Sequence, residues 1–211
     1  MPIDMPMDMM QTIYAFDLLG TAVFALTGAL AAARKEMDIF GFCVIALAPA
    51  VGGGTIRDLI LGLSPVFWVR DPNYLYVCLA VAVMTFFFAH KVSSRLKLLI
   101  WADALGLALF AVIGAQKAVD LGYAPIIAIT MGVITATAGG MIRDILCTET
   151  PLILRREIYA LAAMAGSVTY VVTDQLDLAD PIPLVAGFVA ALAVRGPAIY
   201  FGWSLPVYRR D

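Results

Sequence analysis

A chain of 211 residues that is 62% hydrophobic and only 14% charged, with a formal net charge of −2 and a mean hydropathy of +0.91, lies outside the range of soluble domains. Those run at roughly 45–50% apolar and about 25% charged. With so little net charge and no basic cluster, nucleic acid is excluded as a partner. The apolar residues fall in long runs without strand-like alternation, so the expected class is an all-α membrane protein.

The N-terminus, MPIDMPMDMM, carries acids and no basic stretch, so a cleavable signal peptide is not expected there and the first span acts as its own insertion signal. Seven transmembrane helices follow in order. The first covers residues 12–33 and stops at Arg34-Lys35-Glu36; the second covers 39–63; the third covers 74–89 and ends at His90-Lys91. The remaining four cover 98–118, 123–146, 158–172 and 183–200. Spans of ~17–25 residues match a bilayer core, with the third and sixth at the short end. Trp68, Trp101 and Trp203 sit near span ends, as an interfacial aromatic belt requires. His90 reads as interfacial and Lys117 as a snorkelling side chain. Cys43, Cys78 and Cys147 share no metal or redox spacing and read as buried small hydrophobes.

Orientation follows from the loop cations. Arg70 and Lys117 fall on the side of the N-terminus, against Arg34, Lys35, Lys91, Arg95, Lys97, Arg155, Arg156, Arg209 and Arg210 on the other. That bias places the N-terminus outside and the C-terminus in the cytoplasm.

Two stretches interrupt the apolar pattern. Pro49-Ala50-Val51-Gly52-Gly53-Gly54-Thr55-Ile56-Arg57-Asp58 lies in the second span, and Ala138-Gly139-Gly140-Met141-Ile142-Arg143-Asp144 repeats it in the fifth at an offset of 86 residues (57 to 143). The same offset relates Asp17 to Asp103, Gly20 to Gly106, Phe24 to Phe110, Gly28 to Gly114 and Pro65 to Pro151. The chain is therefore read as two three-helix repeats, residues 12–90 and 98–173, with a seventh helix at 183–201. An odd number of spans per copy inverts the second repeat in the membrane, an architecture that places a transport site near mid-membrane where discontinuous helices meet.

Glycines in a membrane helix permit close packing or a break that turns backbone toward a polar cavity. Recurrence beside a charged pair favours the break. Pro49, Gly52, Gly53 and Gly54 would kink the second span, and Gly139 and Gly140 the fifth. Arg57 and Asp58 are neighbours on one helix and are not expected to face each other, so the expected pairs are Asp17–Arg57 and Asp103–Arg143. Asp58 and Asp144 would then lie nearer a water path; the alternative is that all these charges only pin the fold. Two arginines beside a pathway suit an anion unless aspartates neutralise them. Arg195-Gly196-Pro197 is expected to break the seventh span, with no role assigned. No nucleophile–base pair, metal-ligand cluster or nucleotide motif appears, so no enzyme, metal site or cofactor is expected.

Seven spans, an inverted repeat, and GGGTIRD echoed by GGMIRD resemble the bacterial branch of the trimeric intracellular cation (TRIC) channel family, also labelled a glycine transporter domain family. The resemblance covers residues 17–200. It implies a homotrimer in the cell's inner membrane, each protomer holding a pore between the kinked second and fifth spans, and conduction of monovalent cations, mainly potassium, with membrane lipid as a further partner. Carried onto this chain, it makes Gly52, Gly53, Gly54, Gly139 and Gly140 the kink positions and Arg57, Asp58, Arg143 and Asp144 the motif charges. Animal members bind phosphoinositide through a lysine in this motif; GGGTIRD has none, and such regulation is not expected. The alternative function is a secondary transporter of a small zwitterion such as glycine, with opened helix ends taking the carboxylate and an aspartate the amine.

Overall fold

The computed structural model describes residues 7–91, 94–155, 157–176, 178–179 and 181–206. Arg156, Arg209 and Arg210, used above for orientation, lie outside them. The helices are α1 (Met7–Arg34), α2 (Ile39–Ile60), α3 (Phe67–Arg70), α4 (Asn73–Phe88), α5 (Arg95–Asp120), α6 (Pro125–Leu146), α7 (Ala160–Gln175) and α8 (Ile182–Phe201). Among the described residues the only pairing of extended backbone is an isolated bridge between Glu157 and Ser204.

Local chemistry sets the helix ends. Asp38 caps α2 by accepting from the Gly41 amide at 2.7 Å, which satisfies a first-turn donor. Pro125 opens α6, where its missing N–H leaves nothing unpaired. The helix exits expose the duplication. Glu36 and Gly122 both have left-handed φ, at +53° and +77°, and so do Gly62 and Thr148, at +70° and +54°. Each pair is separated by the 86-residue offset, and in each only one member is the glycine that such a φ favours. α2 and α6 are 22 residues each, and α4 and α7 are 16 each. α8 has no counterpart.

Six of these helices are long and apolar enough to cross a membrane: those at Ile13–Arg34, Ile39–Ile60, Asn73–Lys91, Arg95–Asp120, Pro125–Leu146 and Ile182–Phe201. The sixth expected span appears as α7, whose 16 residues reach only ~24 Å. Three expected breaks are absent. α2 and α6 run without interruption through both glycine stretches, and α8 passes through Arg195-Gly196-Pro197 to its left-handed cap at Gly202.

α5 is the most enclosed helix and packs against α1, α6, α7 and α8. Two crossings carry an approximate two-fold relation. At the first, between α1 and α5, the Phe110 ring lies over Gly20 and the Phe24 ring over Gly106, with the two rings 5.1 Å apart. At the second, between α2 and α6, Gly53 abuts the Thr135 carbonyl and Gly139 abuts the Pro49 carbonyl. The 86-residue offset exchanges the partners in both cases. Gly28 likewise lies against the Ile45 carbonyl of α2, and Gly114 against Thr135 of α6. The small residues of α1 and α5 thus serve contacts inside one chain.

Candidate functional site

The two motifs end on the last turns of α2 and α6, where a cation complements the carbonyl end of the helix dipole. Arg57 Nε and Nη2 donate to Asp58 Oδ1 at 2.9 and 2.7 Å. Arg143 Nε donates to Asp144 Oδ1 at 2.9 Å, with Nη2 at 2.8 Å from the same oxygen. The expectation that neighbours on a helix do not meet is overturned twice, because the long arginine stem lets the guanidinium fold back onto the next residue. The second oxygen of each aspartate also has a partner. Asp58 Oδ2 accepts from the Phe67 amide at 2.8 Å and Asp144 Oδ2 from the Leu152 amide at 3.0 Å. Both aspartates are buried and fasten the turn after their helix.

Of the two expected cross-helix pairs, one forms. Arg143 Nη1 donates to Asp103 Oδ1 of α5 at 2.6 Å and to Thr27 Oγ1 of α1 at 3.0 Å. Arg143 is 1% exposed and Asp103 0%, so this guanidinium joins α1, α5 and α6 in the interior. Arg57 makes no such bond to Asp17. Its guanidinium stays on Asp58 and lies 5.8 Å from the Phe67 ring centre. Asp17 instead accepts from the Tyr74 hydroxyl of α4 at 2.7 Å.

Tyr74 has a counterpart in Tyr159, at the start of α7. The offset here is 85 (74 to 159), as it is from Phe67 to Leu152, so one residue is missing from the second copy after its Pro151. Tyr159 is 1% exposed, yet neither its hydroxyl nor Asp103 Oδ2 has a hydrogen-bond partner among the described residues. The two repeats therefore hold the same three groups in different pairings, aspartate with tyrosine in the first and aspartate with arginine in the second. Tyr74→Phe is expected to cost about 1.5–3 kcal/mol, the worth of a hydrogen bond to a charged group. Tyr159→Phe is expected to cost less than Tyr74→Phe, because its hydroxyl makes no well-formed hydrogen bond within the chain. Thermal unfolding of both purified variants checks the contrast.

Arg195 of α8 joins this interior cluster. Its Nη2 donates to Glu157 Oε2 at 2.6 Å, its Nη1 to the Ile158 carbonyl at 3.3 Å, and its guanidinium stacks 5.2 Å from the Tyr159 ring centre. An arginine inside an apolar span is a visible signal, but its partner, the glutamate before α7, is not in register with any motif. At the end of α6, Glu149 gathers Arg34, Lys35 and Arg155 at 3.2, 3.6 and 3.6 Å. These side chains are partly exposed, and such pairs are worth at most ~1 kcal/mol each. They flank a small cleft that ends on Arg143 and Asp144.

The glycines have the packing role. A Cβ on Gly53 or Gly139 would collide with backbone of the facing helix, and one on Gly54 would meet the Phe67 ring at 2.6 Å. On Gly52 it would meet Ile142 Cδ1 at 2.7 Å, and on Gly140 the Tyr159 hydroxyl at 2.8 Å. Every motif glycine is filled by a neighbour, and α2 and α6 touch backbone to backbone where a pathway was expected.

This arrangement, two crossed helices each ending in a buried Arg-Asp pair and related by an internal duplication, defines a duplicated membrane-helix bundle. The family model described as Glycine transporter matches the chain twice, at residues 14–90 and 100–175. The UPF0126 inner membrane protein YadS of Escherichia coli K12 is 42% identical over 94% of this chain and 97% of its own. A UPF0126 membrane protein of Vibrio cholerae is 42% identical over 93% of this chain and 82% of its own. The TRIC trimeric intracellular cation channel orthologue from Rhodobacter sphaeroides superposes with a TM-score of 0.89 at 51% identity, covering 91% of this chain and 99% of that one. A second solved structure, described as a TRIC cation channel, gives 0.84 at 36% identity, covering 93% and 97%. The chain belongs to this family of TRIC-type, glycine-transporter-domain membrane proteins. It is a multi-pass protein of the inner membrane, and its relatives are membrane proteins and channels, not enzymes.

Proposed function

We propose that the protein is a cation channel, passing chiefly potassium, assembled as a homotrimer with one pathway inside each protomer between α2 and α6. In this reading seven helices cross the membrane, α7 among them, with the N-terminus outside and the second repeat inverted. The observation that carries it is the placing of both Arg-Asp motifs at the ends of one helix crossing, with acids in excess. Arg57 and Arg143 stand against Asp17, Asp58, Asp103 and Asp144. Each arginine is held by at least one of these carboxylates, so the field along the pathway favours a cation. The structural relatives described as cation channels support the same class. Conduction then requires α2 and α6 to part at Gly53 and Gly139, with Arg57, Asp58, Arg143 and Asp144 shaping the field on either side.

The test is purified protein in a planar bilayer under a potassium gradient, with and without glycine. Discrete unitary currents reversing near the potassium potential are expected, and Arg57→Ala is expected to alter conductance or open probability while leaving the assembly intact. A silent bilayer together with saturable glycine uptake into liposomes would replace the channel with a transporter.

A further inference from the structure

A cavity of about 360 Å³ lies where α5 begins and α8 ends. It is bounded by Ile100 of α5, by Arg155 and Glu157 before α7, and by Arg195 and Ile199 of α8 with Trp203 and Ser204 just beyond. Two of its walls are tied together. The isolated bridge joins Glu157 to Ser204, and the Trp203 amide donates to the Ala198 carbonyl at 3.0 Å. Three of its charged groups keep unused bonding capacity. Arg195 is 1% exposed, and its two terminal nitrogens go to Glu157 and to the Ile158 carbonyl. Its Nε has no partner among the described residues, and a buried donor with nothing to bond is unfavourable. Arg155 gives Nε to the Thr150 carbonyl and places Nη2 3.6 Å from Glu149, which leaves Nη1. Glu157 gives Oε2 to Arg195 and keeps Oε1 on a side chain that is 32% exposed.

These groups select a ligand by charge. A lone anion would stand beside the Glu157 carboxylate, and a lone cation beside two guanidinium groups. A molecule carrying both signs satisfies all three. Depth gives the order of the two charges. Arg195 lies ~9 Å inward of the end of α8 at Phe201, Trp203 and Ser204 lie beyond that end, and Glu157 sits between, bonded to Arg195 and bridged to Ser204. The ligand therefore turns its anion inward and its cation toward the membrane surface, as a zwitterionic phospholipid headgroup does. We propose that this cavity binds a phosphoethanolamine group, the headgroup of a membrane lipid. The phosphate accepts from Arg195 Nε and Arg155 Nη1. The ammonium donates to Glu157 Oε1 beside the Trp203 indole, at the interfacial depth that tryptophan favours. Ile100 and Ile199 supply the apolar wall along which the rest of the lipid leaves the site. None of the motif charges takes part, and the proposal holds whether or not the protein conducts.

The experiment is native mass spectrometry of the delipidated protein, titrated with phosphatidylethanolamine and with phosphatidylethanol, which keeps the phosphate and both carbons but lacks the ammonium. The parent is expected to bind phosphatidylethanolamine about ten-fold more tightly, the worth of one hydrogen bond between charged groups. Glu157→Gln is expected to remove that preference. Arg155→Gln, on a partly exposed side chain, is expected to weaken both lipids by about five-fold or more with their ratio kept, and an unchanged thermal midpoint is the folding control. Should Glu157→Gln fail to fold, Trp203→Ala on the exposed rim carries the same reading, its preference falling about two-fold or more. Equal binding of the two lipids by the parent overturns the proposal. Undiminished binding to Arg155→Gln overturns the cavity as the site. Displacement of the lipid by an equal concentration of glycerophosphoethanolamine or of glycine would show a soluble zwitterion as the occupant, and would overturn the lipid.

Discussion

Arg143→Met is expected to be the most damaging single charge substitution in this protein, lowering stability by about 3–5 kcal/mol, the range for removing one partner of a buried ion pair. The guanidinium is 1% exposed and bonds Asp103, Asp144 and Thr27. Its loss leaves two carboxylates without their cation and separates α6 from α1 and α5. Arg57→Met removes the ion pair to Asp58 and the packing over the Phe67 ring, and Asp58 keeps the Phe67 amide. It is expected to cost at least ~1 kcal/mol less, because only one carboxylate is stranded and no second helix is released. Pairing Arg143→Met with Asp103→Leu should recover part of the loss, since a neutral apolar pair no longer needs a countercharge. Thermal unfolding of the four proteins in one detergent measures the series. Equal losses for the two arginine variants would mean that the bridge to α1 and α5 contributes nothing.

Gly53→Ala and Gly139→Ala are each expected to lower stability by about 1–3 kcal/mol, the usual cost of overpacking. Alanine is the better helix former by about 1 kcal/mol, so the sign rests on what the new methyl group meets. At Gly53 it meets the Thr135 carbonyl and at Gly139 the Pro49 carbonyl. A backbone carbonyl inside a helix cannot step aside, so α2 and α6 must separate. Gly52→Ala meets only the terminal methyl of Ile142, which can rotate, and it should be nearly neutral. Thermal midpoints of the three variants decide between packing and flexibility. If Gly53→Ala and Gly139→Ala melt as the parent does while their currents vanish, the glycines serve bending and not contact.

The two-fold relation at this crossing also supplies what the motif by itself left open. Glycine and proline in an apolar run are the residues of a break and equally those of a close crossing. From one helix alone the two are indistinguishable. Only the facing helix, with Thr135 opposite Gly53 and Pro49 opposite Gly139, separates them. The pairing of Arg57 was misjudged for a related reason. Helical spacing describes where Cβ atoms point, whereas an arginine carries its charge several bonds further and can turn back on its own neighbour. Tyr74 and Tyr159 do not align at the 86-residue offset, because a single-residue deletion shifts it to 85 just where they lie.

Composition, run lengths and the offset of Asp17, Gly20, Phe24 and Arg57 from their counterparts determined the helical class, the duplication and the family without coordinates. They do so because apolar run length and repeated residue identity are properties of the chain itself. Which carboxylate each buried arginine takes, that Asp17 goes to Tyr74 while Asp103 goes to Arg143, and that Arg195 reaches Glu157 beside Tyr159 were decided only by tertiary structure. A buried charge takes whichever partner lies within hydrogen-bond reach once the helices have packed, and helix packing is set by shape at crossings such as Gly53–Thr135, which no spacing rule along a single strand of sequence can measure.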